Sequence, residues 1–292
     1  MLKSAGVESP RLDAELIIAG ALACERLDLY AAPERAIGPG QWMECLAMAQ
    51  RRSAREPLAY VLGSREFYGL NFEVAPGVLI PRPETEAIVE LALIWHAEWA
   101  GRSNDEPPKS GGPDKTGRGG PLALDLGTGS GCIAVACAYE QKLQGLPGRW
   151  IATDVSGSAL EIARRNARKH GVADRIEFRL GPYYEPIASP VDIICTNPPY
   201  VARESSPGLQ PEVRDWEPEG ALFSEESGLA HVRQILERAP EFLSPGGIVL
   251  MEIGMGQSEA VARLAARVSG IGDIEFHQDL AEIPRILQAR RA

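Results

Sequence analysis

Metal-binding and redox patterns are missing from this sequence. The four histidines (His96, His170, His231 and His277) stand far apart and form no H-x-x-x-H pair, so no metal-ligating spacing is present. The five cysteines (Cys24, Cys45, Cys132, Cys137 and Cys195) include no C-x-x-C pair. Three of them sit in apolar or small-residue runs, the setting of reduced structural thiols, and a reducing compartment is expected. No run approaches the ~18 apolar residues of a membrane span, and the first residues carry no basic-then-apolar targeting pattern, so a cytoplasmic location is expected. Positive charge is also short. Lysine and arginine number 30 against 40 acidic residues, and the net charge of −10 argues against a protein whose main work is gripping a phosphate backbone.

What the chain does have is length and apolar content. Its 292 residues, 45% hydrophobic, suffice for one large domain or two smaller ones with a sizeable core. Residues 10 to 56 carry helical periodicity. In "SPRLDAELIIAGALA", Ser9 is placed to cap, Pro10 opens the first turn, and Leu12, Leu16 and Ala19 share one stripe. "PGQWMECLAMAQRRSAREP" reads as a further helix ending at Pro57. "SREFYGLNFEVAPGVLIPRPETE" then turns β-rich, with Gly69 and Gly77 as turn points, which predicts a hairpin between residues 65 and 80. A helix is expected from Pro83 to Trp99. Residues 101 to 120 are Gly, Pro and charge without periodicity and read as a mobile insertion.

From residue 121 the pattern alternates between strands and helices. "LALDL", "RWIATD", "RIEFRL", "VDIICTN" and "GIVLMEI" read as strands, followed by two closing strands. Helices are expected after "GTGSG", over "SALEIARRNARKHG" with Ser158 near its N-cap, near 228 to 243, and near 256 to 268. Such alternation predicts an α/β doubly wound sheet with ligands at the carboxyl ends of its strands.

Three motifs carry chemistry. "DLGTGSG", Asp125 to Gly131, is a strand-to-helix turn whose glycines 127, 129 and 131 admit positive φ and let a ligand approach the backbone. "IATDV" ends a strand at Asp154, where a carboxylate can accept hydrogen bonds from ribose hydroxyls or cap the helix that follows. Together they suggest an adenosine-bearing cofactor without choosing between NAD and S-adenosylmethionine. "NPPY" chooses. The carbonyls of Asn197 and Pro198 can accept both hydrogens of a planar NH₂ group, and Tyr200 can pack on the flat substrate. A planar amide or aromatic amine is a poor nucleophile, so orienting it against an electrophilic methyl is the chemistry this motif can supply.

With these motifs the chain resembles S-adenosylmethionine-dependent methyltransferases acting on planar nitrogen. Among them it is similar to the protein-glutamine N(5)-methyltransferases of peptide chain release factors, the HemK/PrmC family. "SPRLDAELIIAGAL", "REPLAYVLGSREFYGLNFEVAPGVLIPRPETE", "LDLGTGSGCIAVA", "TNPPYV", "EPEGALF" and "HQDLAEIPR" match family stretches in family order, over nearly the whole chain. "LIPRPETE" separates this resemblance from adenine-N(6) DNA methyltransferases, which share only the "PPY" logic and the fold.

The resemblance implies a helical substrate-binding domain at 1–60, a β-hairpin linker at 61–82, and a Rossmann-like seven-stranded methyltransferase domain at 83–292 whose last hairpin adds an antiparallel strand. It implies that Asp125, Gly127, Thr128, Gly129, Gly131, Asp154, Tyr183 and Asn197 meet the cofactor S-adenosylmethionine. It further implies that Arg82, Glu84, Asn197, Pro198, Pro199 and Tyr200 meet the substrate, with Asn197, Pro198 and Tyr200 catalytic and no metal. Where family members often carry a tryptophan and an acidic or polar residue near the adenine, this chain has "GPYY", Gly181 to Tyr184.

The implied partner is a class I release factor, methylated by a monomer on the glutamine of its Gly-Gly-Gln loop, with no membrane and no stable nucleic-acid partner. Two rivals stand beside it: an adenine-N(6) nucleic-acid methyltransferase, and a cofactor-binding sensor without turnover. Glu84 and Glu86 also suit a helix N-terminus. Arg51, Arg52 and Arg55 form a basic cluster that reads as a solvated helix face or as a patch for an acidic protein or RNA.

Overall fold

The computed structural model describes residues 1–102, 120–279 and 281–292. The insertion expected at 101 to 120 falls, but for its ends, outside the described residues.

Four helices open the chain: α1 (Pro10–Ala21), α2 (Arg26–Ala31), α3 (Pro39–Ser53) and α4 (Leu58–Leu62). Proline stands in the first turn of α1 and of α3, where its missing N–H costs no hydrogen bond. The buried stripe of α1 is not Leu12, Leu16 and Ala19. Leu12 is 40% exposed, and Asp13 is buried beside Ile17 and Ala19. An ion pair overrides the hydropathy pattern here: the Arg52 guanidinium lies 2.7 Å from the Asp13 carboxylate, with both side chains nearly inaccessible. The basic cluster of Arg51, Arg52 and Arg55 is therefore not a free patch: each arginine is paired with a carboxylate, and only Arg51 stays exposed. Arg52 and Arg55 both pair with Glu212, at 2.9 and 2.6 Å, and Arg51 pairs with Glu56.

The hairpin is shorter than its sequence suggests. Strands β1 (Ser64–Phe67) and β2 (Leu70–Glu73) pair antiparallel around Tyr68 and Gly69. Beyond Glu73 the chain makes a turn at Gly77, burying Val74, Val78 and Ile80. A 3-10 turn at Pro83–Thr85 then enters α5 (Glu86–Arg102).

The rest alternates as expected: β3 (Leu122–Leu126), α6 (Cys132–Leu143), β4 (Arg149–Asp154), α7 (Gly157–Lys169), β5 (Ile176–Leu180) and β6 (Val191–Thr196). The N-cap of α7 is Ser156, not Ser158; its hydroxyl accepts from the Ala159 N–H. A two-residue strand pair, β7 (Val201–Ala202) and β8 (Phe223–Ser224), brackets short turns that include α8 (Pro211–Arg214) and α9 (Glu219–Leu222). After α10 (Glu225–Gly228) come α11 (Ala230–Phe242), β9 (Leu243–Glu252), α12 (Ser258–Ala265), β10 (Ile271–Gln278) and β11 (Pro284–Arg291).

The main sheet has seven strands in the order β10-β11-β9-β6-β3-β4-β5. Only β11 runs against the others, pairing antiparallel with both β9 and β10. From β3 the chain winds outward through β4 to β5, then returns to place β6 on the other side of β3. That reversal opens a crevice beyond the carboxyl ends of β3 and β6, where open α/β sheets bind ligands. Apolar clusters cover both faces, one around Phe72, Ile88, Ile133 and Trp150, the other around Leu124, Ile194, Leu236 and Val249. Among the described residues no helix is long and apolar enough to cross a membrane.

Candidate active site

The crevice holds a cavity of about 410 Å³, within the ordinary range of small-molecule sites. Its walls are the ends of strands. After β3, Gly127 and Gly129 adopt left-handed φ of 75° and 56°, and a Cβ on either would meet no atom within 4 Å. The turn is pinned from behind, because the N–H groups of Gly127 and Thr128 both donate to the Thr153 carbonyl. Gly131 differs. A Cβ there would lie 3.0 Å from the Ala163 Cβ, so this glycine lets α6 approach α7 and does not line the cavity.

Asp154, at the end of β4, lines the cavity with a half-buried carboxylate; Oδ2 accepts from the Gly129 N–H and Oδ1 from the Ser156 N–H, both at 2.9 Å. Burial raises its pKa against those hydrogen bonds. Asp125 stands outside the lining, fully buried under the turn. Its Oδ2 accepts from the Thr128 hydroxyl at 2.6 Å and from the Ala134 N–H, and burial pushes it up to about 7.

After β5, Tyr183 and Pro182 line the cavity, with Tyr183 in left-handed backbone at φ 46°. The Tyr183 hydroxyl lies 2.6 Å from His231 Nδ1, and His231 lines the cavity too.

After β6, Asn197, Pro198 and Pro199 form a further wall, and the segment from Gly77 to Thr85 another. Asn197 Nδ2 donates to the Thr85 hydroxyl at 2.9 Å, which leaves Oδ1 as the end of the amide free for a ligand. Tyr200 lies outside the lining: its hydroxyl donates to Glu252 Oε1 at 2.9 Å, and its ring edge faces Gly254. Arg82 lines the cavity and is held 2.5 Å from Glu217, whose other oxygen accepts from the Ile80 N–H. Glu84 is exposed and outside the lining, while Glu86 accepts from the Tyr68 N–H.

Sequence reasoning missed Thr85, Glu217, His231 and Glu252. Of these, Thr85, inside "LIPRPETE", and Glu217, inside "EPEGALF", fell within stretches singled out, and there for their resemblance alone. Glu252 ends the apolar run of β9 as a buried carboxyl pushed up to about 7 by burial. Among the described residues no group of three or more His, Cys, Asp or Glu side chains is assembled that could hold a metal ion.

The residues fit an adenosyl cofactor. Gly127 and Gly129 offer open backbone where a Cβ would intrude, Asp154 presents a half-buried carboxylate suited to hydroxyl donors, and Tyr183 with Pro182 gives a flat apolar wall.

Comparison with known proteins agrees with this geometry. The chain matches the family model of the PrmC N-terminal domain over residues 1–63 and that of the methyltransferase small domain over residues 117–209. It is 39% identical to a release factor glutamine methyltransferase of Nitratidesulfovibrio vulgaris, over 99% of this chain and 91% of that protein. It is 40% identical to one of Bordetella pertussis, over 95% and 93%. Among solved structures, the hMettl16 catalytic domain in complex with MAT2A 3′UTR hairpin 6 superposes with a TM-score of 0.55 at 17% identity, over 77% of this chain and 76% of that one. A methyltransferase from Pyrococcus furiosus does so with a TM-score of 0.50 at 19% identity, over 84% and 96%; at such identities these two show the fold alone.

Sheet order, crevice and Gly-turn define a Rossmann-like, S-adenosylmethionine-dependent methyltransferase. At 35 to 40% identity over nearly its whole length, the chain belongs to the release factor glutamine methyltransferase family.

Proposed function

We propose that this enzyme methylates the side-chain amide nitrogen of the glutamine in the Gly-Gly-Gln loop of class I release factors. The observation that carries the reading is the Asn197 amide, on the cavity wall with its Nδ2 committed to Thr85 and its acceptor oxygen free. Bound S-adenosylmethionine supplies an electrophilic methyl group. Gly127, Gly129, Asp154 and Tyr183 would hold that cofactor, with Thr128 and Asp125 supporting the turn. The Asn197 Oδ1 and the Pro198 carbonyl accept the two hydrogens of the substrate NH₂, fixing its plane and favouring nitrogen over oxygen as the nucleophile. Pro199 and Arg82 shape the entrance, and Tyr200 supports the wall from behind. Once methylated, the nitrogen loses its proton to solvent.

Residues 1–60 serve as the substrate-binding unit, 61–82 as the linker and 83–292 as the catalytic unit, in a cytoplasmic monomer without a stable nucleic-acid partner. The adenine-N(6) alternative has no observation in its favour.

The test is transfer of labelled methyl to a purified class I release factor, with peptide mass spectrometry to locate the label. One methyl on the Gly-Gly-Gln glutamine is expected, and Asn197→Ala is expected to lose about 10²–10³-fold in turnover while still binding cofactor. Label absent from the factor but present on duplex DNA would overturn the reading.

A further inference from the structure

Behind the cavity wall a buried chain of hydrogen bonds runs from Asn197 to the end of β9. Asn197 Nδ2 donates to Thr85 Oγ1 at 2.9 Å, Thr85 Oγ1 donates to Glu252 Oε2 at 2.5 Å, and the Tyr200 hydroxyl donates to Glu252 Oε1 at 2.9 Å. Thr85 is 2% exposed and Glu252 1%, so water does not compete for these groups. We propose that Glu252 is a positioning residue for methyl transfer: through Thr85 it fixes which end of the Asn197 amide faces the cavity, and it anchors Tyr200 directly. The inference rests on the amide-clamp reading above and extends it to a residue outside the cavity.

A threonine hydroxyl has one hydrogen, and an ionised carboxylate can only accept. Thr85 therefore gives its hydrogen to Glu252 and can meet Asn197 only as an acceptor. The Asn197 NH₂ is drawn to Thr85, and the amide oxygen is left for the substrate. A neutral group at position 252 that donates to Thr85 reverses the chain. The Thr85 hydrogen is then free to meet Asn197 Oδ1, and the flipped amide turns its NH₂ toward a substrate NH₂, a donor facing a donor.

The charged and titratable groups around Glu252 come from several elements: Glu84 beside Thr85, Tyr200 after β6, Arg285 on β11 and Cys132 at the start of α6. Burial, reinforced by Glu84 and opposed by Thr85, Tyr200 and Arg285, brings Glu252 up to about 7. The ionised state is filled at mildly alkaline pH.

The experiment compares full-length wild type with Glu252→Gln, Thr85→Val and Thr85→Ser. It measures kcat and KM for a purified class I release factor across pH, alongside S-adenosylmethionine affinity by calorimetry. Expected is a loss of about 10²-fold in kcat/KM for Glu252→Gln and Thr85→Val, with near-normal cofactor affinity. Thr85→Ser, which keeps the hydroxyl, is expected to recover most of it. Wild type is expected to lose kcat/KM as pH falls through about 7, and Glu252→Gln to lack that limb. Active wild type with equally active Glu252→Gln and Thr85→Val overturns this inference alone, as does Thr85→Ser no better than Thr85→Val. Wild type that leaves the factor unlabelled overturns the substrate reading and this inference with it.

Discussion

An alanine at Gly131 places its Cβ 3.0 Å from the Ala163 Cβ and 3.2 Å from its Cα, in a backbone already at φ +83°. Crowding of that kind costs about 1–3 kcal/mol and a left-handed non-glycine residue roughly 1–2 more. At Gly127 only the second cost applies, since no atom lies within 4 Å; the added methyl would stand where a ligand approaches. Gly131→Ala is therefore expected to lose more stability in urea denaturation, and Gly127→Ala to lose more S-adenosylmethionine affinity for the stability it gives up. Equal stability of the two variants would contradict the packing role. The turn itself was legible in "DLGTGSG", because spaced glycines at a strand end have few other uses. The division of labour within it was not, since it depends on Ala163 across the helix interface. Glu252 was hidden for the same reason: its partners Thr85 and Tyr200 lie 167 and 52 residues away in the chain.

At the level of elements, the strands were readable because "LALDL" and "VDIICT" are buried on both faces and spell near-continuous apolar runs. The packing of α1 on α3 was not readable, because it turns on charge. Arg52 satisfies Asp13 on α1 and Glu212 on α8 together, with its side chain 7% exposed. Removing it leaves Asp13 buried without its cation, and Glu212 with Arg55 alone. Arg52→Ala is expected to lower stability by about 3–5 kcal/mol, the usual penalty for breaking a buried ion pair from one side. A denaturation midpoint at the wild-type value would show that the pair is effectively solvated. Glu225–Gly228 was equally hidden from sequence, since Glu226 and Ser227 adopt left-handed φ of 55° and 54° that nothing in their identity requires.

For the whole molecule, buried carboxyls and buried histidines pull stability in opposite directions with pH. Burial pushes Asp125 and Glu252 up to about 7, from 3.8 and 4.5 when unfolded. A carboxyl whose folded pKa is raised takes up a proton on folding across that interval. Its ionisation burdens the native state at higher pH, and acidification through about 7 relieves that burden. Burial lowers His96 to about 4 and lowers His170 and His231, so the stability these neutral rings confer is held above 6.5 and lost as pH falls below it. Glu212 does not enter this range. Its own burial works against ionisation, but Arg55 and Arg52 hold it at about 2. Above 6.5 only the carboxyl slope acts, so the melting temperature is expected to rise as pH falls from about 8 to 6.5, and below 6.5 the histidines oppose that rise. The double variant Asp125→Asn, Glu252→Gln is expected to show no such rise. Parallel curves for wild type and double variant would mean that both carboxyls are already ionised in the native state across this range, as they are when unfolded. Because the methyl-transfer limb assigned to Glu252 runs the other way, the pH of greatest stability is expected to lie below the pH of fastest transfer.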